Sequence, residues 1–307
     1  MLFPAAAPTV LGMPLVVGLV LFGIAHGACD HWVVPAARPQ SRPTSYMLRF
    51  LAGYLGLAAL VVVLWSVYPA AMVALFFLLT VWHWGSADAP EPRSSQDRGQ
   101  WLLHSVLRGG LIFAVPALCW PSDTRQIVNG LLEFVGAELV TTSAFTWAAT
   151  GLGGVVALGH VALGGFFIRQ KQWSLLRTEL LELSLLGALF AALPPILSSG
   201  VYFVFWHSLR HVLRMNRLMG YNGAPAGWRQ LLRETQFFTR RSLPLLVVSL
   251  ASLGALCWYL APHLPDGLAL LSLGLVVAAV VTLPHALLVT VVMDADKWQL
   301  SKSKARV

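Results

Sequence analysis

The sequence predicts an all-α fold, a bundle of about eight or nine membrane-spanning helices that forms a single transmembrane domain over residues 1–307. Of the 307 residues, 57% are hydrophobic and only 11% are charged, whereas about a quarter of the residues in a soluble domain carry charge. Several uninterrupted apolar runs approach or exceed the roughly 20 residues that a helix needs to cross a bilayer. A membrane β-barrel would require strands in which apolar and polar residues alternate, so the helical bundle is favoured.

Nine apolar runs mark the expected spans. In chain order they cover residues 9–34, 46–68, 69–88, 101–120, 143–168, 175–197, 201–219, 243–261 and 268–293. A loop with Pro and Arg residues precedes the second span, and a polar loop separates the third from the fourth. The fifth is rich in Gly, which permits close helix packing. Pro194 and Pro195 end the sixth, and the seventh contains neither Gly nor Pro, which favours a helix.

Two further segments are expected to be helical without crossing the membrane. Residues 123–140 carry an apolar side chain at every fourth position, which is typical of a helix lying in the membrane interface. These side chains are Ile127, Leu131, Val135 and Leu139. The basic segment 221–242 follows the seventh span, and we expect a short surface helix within it over residues 228–238.

The basic residues are distributed unequally over the two sides of the membrane. If the N-terminus lies outside, Arg125 is the only one of the 21 Lys and Arg residues on an outer segment. The inner segments then contain Arg38, Arg42, Arg93, Arg98, Arg169, Lys171, the cluster from Arg217 to Arg241, and the tail from Lys297 to Arg306. Because Lys and Arg are enriched in cytoplasmic loops, this indicates nine crossings with the C-terminus inside. The net charge of +8 therefore indicates topology and contact with the anionic lipid of the cell membrane, and not nucleic-acid binding.

His207 and His211 are the strongest candidates for a metal site. They lie four residues apart in the apolar run 201–219, so a helix would place them on one face, one turn apart. Two imidazoles inside a membrane span are costly unless something binds them. A metal ion would do so, and this spacing suits one.

Two other spans carry a histidine that is followed by an aspartate, His26 with Asp30 and His83 with Asp88. Metal-bound histidines usually donate their second N–H to a carboxylate or a carbonyl group, so each Asp could orient an imidazole. Both could equally be helix-end residues, paired with Arg49 or Arg210.

The remaining intramembrane histidines have weaker signals. His31 competes with His26 as a ligand, and a supporting role is favoured for it. His285 follows Pro284 in the ninth span and could support a ligand or serve helix packing. His104 and His160 are expected to be hydrogen-bonded packing or pore residues. His263 lies in an outer loop.

Aromatic residues flank the histidines. They allow two interpretations, as membrane packing or as the wall of a long apolar substrate channel. The channel candidates are Trp82, Trp84, Tyr202, Phe203 and Trp206.

The ligand type limits the chemistry. Imidazole suits iron, copper, zinc and nickel. A set of histidines adds no negative charge, so iron held by it would stay ferrous, with open positions for O₂. A zinc site would hydrolyse its substrate, yet no clear general base lies beside these histidines. The pattern favours ferrous iron and oxidation of an electron-rich substrate dissolved in the membrane.

Three motifs resemble those of the Brp and Blh family of membrane-bound β-carotene dioxygenases, which make retinal in rhodopsin-bearing prokaryotes. They are His26-Gly27-x-x-Asp30-His31, His83-x-Gly85-x-x-Asp88 and His207-x-x-Arg210-His211, with Pro284-His285 also similar. Trp84 departs from the pattern, where Phe is more usual, which bears on the width of a channel. The resemblance implies an Fe(II) ion held by His26, His83, His207 and His211. It also implies central cleavage of β-carotene by O₂ to two retinal molecules, without added reductant.

The geometry of such a reaction leads to a further expectation. β-Carotene is nearly as long as the hydrocarbon core is thick, about 30 Å. The histidines lie toward the inner leaflet, so a central double bond at the iron requires a channel that is strongly tilted or parallel to the membrane plane.

Three other functions are compatible with intramembrane histidines. A transporter or a metal or proton carrier would be expected to contain an internal repeat, which the sequence does not show. A non-catalytic carotenoid-binding partner in rhodopsin assembly is a second possibility. Electron transfer by a haem with two His ligands is a third, and it would give a Soret absorption band.

Overall fold

The computed structural model describes residues 7–37, 45–91, 98–223 and 227–299. The inner-loop residues Arg38, Arg42 and Arg93 and the basic tail beyond Gln299 lie outside these ranges. Within them every regular element is a helix. The α-helices are α1 Ala7–Gly18, α2 Ala25–Ala28, α3 Asp30–Ala37, α4 Ser45–Val67, α5 Pro69–Asp88, α6 Arg98–Cys119, α7 Pro121–Phe134, α8 Thr142–Arg169, α9 Trp173–Ala192, α10 Pro195–Val201, α11 Leu209–Leu218, α12 Trp228–Leu260, α13 Gly267–Leu288 and α14 Ala295–Gln299. Three π-helices interrupt them, π1 Leu19–Ile24, π2 Tyr202–Ser208 and π3 Val289–Met293.

Among the residues that the structure describes, six helices are long and apolar enough to cross a membrane, which confirms the all-helical, membrane-like fold. They are α4, α5, α6, α8, α12 with the turn that follows it, and α13 with π3. Gly12–Ala28 is a shorter apolar helix. The count of eight or nine crossings, the N-out orientation and the single domain stay predictions.

The seventh predicted span is not one regular helix. It is divided between π2 and α11, and α10 precedes it from Pro195. Proline favours the first position of a helix, where its missing N–H is not needed. The sixth predicted span correspondingly ends at Ala192, because a residue before proline avoids the helical region and Leu193 has ψ 145°.

Two other predicted boundaries are wrong. The surface helix expected over residues 228–238 continues without a break through the eighth span as α12, which has 33 residues. No Gly or Pro lies between Trp228 and Pro244 to stop it. The interface helix ends at Phe134 instead of residue 140. Gly136 has φ +69°, and the Asn129 side chain bonds both N and O of Val140.

The chain forms two compact units. The first contains Tyr68–Tyr202 with α14, and the second contains Thr9–Val67 and Phe203–Asp294. In the first unit, α5 and α6 approach closely at two glycines. A Cβ atom on Gly85 would lie 1.8 Å from the carbonyl oxygen of Ser105, and one on Gly109 would lie 1.9 Å from that of Val81. The two backbones are therefore in contact, as small residues permit in membrane bundles.

The core of the second unit is apolar and contains residues from both the N-terminal and the C-terminal parts of the chain. It contains Ala25, Ala28, Cys29, Val33, Val212, Met215, Phe238, Leu246, Val289 and Met293. These residues come from α2, α3 and the residue between them, and from α11, α12 and π3. Two of these helices, α2 and α11, carry His26 and His211.

Candidate metal centre

Four histidine rings lie together in the second unit. They belong to His26 on α2, His207 on π2, His211 on α11 and His285 on α13, and all four are buried. The His26 ring centroid is 6.4 Å from that of His207, 5.2 Å from that of His211 and 4.9 Å from that of His285. The His211 centroid lies 5.2 Å from that of His285 and 6.3 Å from that of His207.

These spacings can be compared with those of imidazoles that share a metal ion. A ligand nitrogen lies about 2.1 Å from the ion, which puts the ring centroid about 3.3 Å away. Two bound imidazoles therefore have centroids about 4.7 Å apart at a right angle and about 6.6 Å apart when opposite. All five measured separations fall in this range, and imidazole is a suitable donor for iron.

The side chains do not form a closed coordination shell. In the part of the chain that the structure describes, no group of three His, Cys, Asp or Glu side chains has the arrangement of a metal site. The cluster matches a metal site in donor type and in ring spacing.

Irregular helix geometry positions two of the four rings. π1 ends two residues before His26, and π2 contains His207; such wide turns are frequently found at functional sites. The two π-helices pack together through glycine, since a Cβ atom on Gly23 would lie 2.9 Å from the Phe203 ring. The His207 and His211 rings are nearly parallel, at 18°, with centroids 6.3 Å apart.

Asp30 orients a different histidine from the one that the sequence suggested. The helix breaks at Cys29, between α2 and α3, and Nδ1 of His26 is 2.8 Å from the carbonyl oxygen of Phe22. Both Asp30 oxygens lie 2.9 Å from Nδ1 of His285, and Tyr54 donates its hydroxyl to Oδ2 at 3.0 Å. The imidazole that Asp30 contacts is therefore that of His285.

His31 has separate surroundings. Its Nδ1 lies 3.1 Å from the carbonyl oxygen of Ala28, and its ring centroid is 5.3 Å from that of Trp32. Of the two histidines in the first predicted span, His26 is the one whose ring lies in the cluster.

His83 and Asp88 belong to the first unit. Both are buried on α5, and the carbonyl oxygen of His83 accepts a hydrogen bond from Ser86 Oγ at 3.3 Å. Asp88 accepts a hydrogen bond of 2.7 Å from the Tyr202 hydroxyl. His83 stays a predicted ligand.

The five channel candidates have different surroundings. The Trp82 ring lies 5.7 Å from Trp101, while Trp84 lies 5.3 Å from Tyr202. Trp206 lies under the Arg210 guanidinium at 4.5 Å. Phe203 lies on the cluster itself, stacked 6.0 Å from His207 at 18° and 5.9 Å from His26.

A second polar cluster, in the first unit, was not foreseen from the sequence. Arg108 donates to Glu179 at 2.8 Å and to Glu182 at 2.6 Å. Nε2 of His104 lies 2.7 Å from Glu179, and Nε2 of His160 lies 3.5 Å from it. The sequence does place one cation and two carboxylates inside predicted spans, where charged groups require partners. That requirement is the feature of the sequence that could have indicated this cluster. The packing interpretation of His104 and His160 agrees with these contacts.

A family model described as β-carotene 15,15′-dioxygenase matches residues 17–293, a range that includes every histidine of the cluster. The chain belongs to the β-carotene 15,15′-dioxygenase family. This confirms the resemblance of the motifs and the prediction that the chain is an enzyme of this family.

Relatives within the β-carotene 15,15′-dioxygenase family are found in archaea and bacteria. A Halobacterium salinarum protein named probable β-carotene 15,15′-dioxygenase Blh is 30% identical over 297 residues, covering 92% of this chain and 85% of the relative. Another, named Brp, is 27% identical over 206 residues, covering 64% and 56%. The β-carotene 15,15′-dioxygenase of uncultured marine bacterium 66A03 is 24% identical over 199 residues, covering 63% and 65%. No solved structure matches this family member.

Proposed function

We propose that the chain cleaves β-carotene at its central double bond with O₂ and releases two molecules of all-trans-retinal. The central C=C bond breaks and two C=O bonds form, so O₂ is the only oxidant and no added reductant is required. Family membership supports the reaction. The observation that carries the choice of site is the cluster of His26, His207 and His211, three residues from two separate motifs.

The proposed cofactor is one non-haem Fe(II) ion, held by His26, His83, His207 and His211. When bound, ferrous iron supplies redox chemistry toward O₂ that a protein side chain lacks. Neutral imidazoles hold the ion without adding negative charge to a site inside the membrane. Their burial excludes bulk water, which protects a reactive intermediate from side reactions.

The protein's main task is to hold the polyene in register, so that its central bond and no other is oxidised. Phe203 suits this task because it contacts both His26 and His207. The proposed channel also uses Trp82, Trp84, Tyr202 and Trp206. It is strongly tilted or lies parallel to the membrane plane and opens to the lipid. We expect the protein to lie in the cell membrane. A retinal-binding rhodopsin is the proposed partner that binds the product.

Expression in bacterial cells that accumulate β-carotene tests the activity. The wild-type chain is expected to bleach the cells and to yield retinal. His207→Ala and His83→Ala should abolish bleaching while the protein still inserts in the membrane. His263→Ala is the matched control, because His263 is exposed and its Nδ1 lies 3.1 Å from the carbonyl oxygen of Tyr259, four residues earlier.

Each outcome addresses a separate part of the proposal. Bleaching retained in His83→Ala would remove that residue from the ligand set. Carotenoid that stays intact with the wild-type chain would favour a binding or transport function. A Soret band in the purified protein would show that the cofactor is a haem and not a non-haem iron ion.

A further inference from the structure

We propose that His285 is a ligand of the same metal centre, and that Asp30 and Tyr54 are the residues that position it. This inference rests on the proposed iron site. The sequence suggested only a supporting or packing role for His285, 255 residues from Asp30 in the chain.

The first argument is the position of the ring. The His285 centroid is 4.9 Å from that of His26 and 5.2 Å from that of His211. These separations match those of imidazoles that bind one ion at angles near 100°. His285 is 5% exposed, so its ring is buried against the neighbouring imidazoles.

The second argument is the direction in which the ring is held. Both oxygens of Asp30 lie 2.9 Å from Nδ1 of His285. A carboxylate only accepts hydrogen bonds, so Nδ1 is the nitrogen that carries hydrogen. Nε2 of a neutral ring in this tautomer has a lone pair for a metal. Metal-binding histidines commonly have this carboxylate partner, which fixes their tautomer and raises their basicity.

Tyr54 completes the arrangement. Its hydroxyl lies 3.0 Å from Oδ2 of Asp30 and 3.3 Å from the carbonyl oxygen of Val281, one turn before His285. Asp30 on α3, Tyr54 on α4 and His285 on α13 are thus joined, and Asp30 is 1% exposed. A buried ion pair alone would account for Asp30, but it would not require the ring to lie against two further imidazoles.

Metal binding by the purified full-length protein tests the assignment without an activity assay. The probes are iron content of the protein as isolated, and titration of metal-free protein with Co²⁺, followed by the visible absorption bands of the bound ion. His285→Asn keeps an N–H group that can reach Asp30 but removes the ligand nitrogen. We expect it to lose iron and to bind Co²⁺ at least about 100-fold more weakly. His263→Asn should behave as the wild type.

Substitutions of Asp30 and Tyr54, the two positioning residues, are expected to weaken metal binding to different extents. Asp30→Asn should weaken Co²⁺ binding by about 10–100-fold, as loss of such a partner typically does. Tyr54→Phe should have a smaller effect, and both should shift the Co²⁺ bands, which a purely structural role would leave in place. Should His285→Asn fail to fold, Asp30→Asn carries the test, because the His285 ring remains.

The results separate the two proposals. Unchanged affinity and bands in His285→Asn, or in Asp30→Asn if that variant has to carry the test, would overturn the role of His285 and leave the iron site intact. A wild-type protein that holds no iron and gives no Co²⁺ bands would overturn the iron site and this inference with it.

Discussion

The Asp30 carboxylate holds Nδ1 of His285 at 2.9 Å, and this contact joins α3 to α13, the last long helix that the structure describes. His26 and Asp30, four residues apart in the motif His26-Gly27-x-x-Asp30-His31, thus serve two different rings. His26 places its own ring in the cluster, and Asp30 turns a ring that is contributed by α13.

The two histidines of that motif should differ sharply when they are replaced. His26→Ala is expected to abolish retinal formation, because its ring contacts three other imidazoles of the cluster. His31→Ala should retain activity, since its Nδ1 bonds to the carbonyl of Ala28. Retinal extracted from β-carotene-accumulating cells, relative to the amount of inserted protein, is the measurement. The reverse order of activities would make His31 the ligand.

The buried polar cluster of the first unit should contribute to stability. Arg108 is 1% exposed and contacts both Glu179 and Glu182. Arg108→Met leaves the buried Glu179 and the partly buried Glu182 without their cation, and removing one partner of a buried ion pair typically costs about 3–5 kcal/mol. A marked fall in the thermal unfolding temperature in detergent is expected. Arg177→Met is the control, because Arg177 is exposed on α9, and it should change the unfolding temperature little.

A combined variant shows whether charge is the cause. Adding Glu179→Gln and Glu182→Gln to Arg108→Met removes the charges together, and part of the lost stability should return. If it does not, the packing of the Arg108 side chain is responsible instead.

The contact between α5 and α6 should not tolerate a methyl group. Gly85→Ala would place Cβ 1.8 Å from the carbonyl oxygen of Ser105, so the two backbones must separate. Overpacking of this kind typically costs about 1–3 kcal/mol. Gly154→Ala is the control, because a Cβ there meets nothing within 4 Å. Unfolding temperatures of the two variants in the same detergent check this, and equal values would contradict the close approach.

The sequence predicts most of the fold and part of the site, for identifiable reasons. Long apolar runs are local signals, so α4, α5, α6, α8 and α13 follow from them directly. The pairing of His207 with His211 is also local, being set by helix periodicity. The contacts of Asp30 with His285 and of Arg108 with Glu179 depend on how distant helices pack, and no spacing in one segment encodes them. The π-helices were missed because their residues are the apolar types that also form α-helices.

Phe203 should determine where the polyene is cut. Its ring is stacked on His207 and meets His26 edge-on, so in the proposed site it lies where a polyene would pass the metal. Phe203→Ala removes this wall and lets the polyene slide, because a channel of apolar contacts has no polar group to fix the register. We expect less retinal and the appearance of apocarotenals of other lengths, resolved by chromatography of cell extracts. Phe205→Ala is the matched control, since Phe205 lies on the same π-helix but is 44% exposed. Retinal as the sole product of Phe203→Ala, at the wild-type rate, would place the register-setting wall elsewhere.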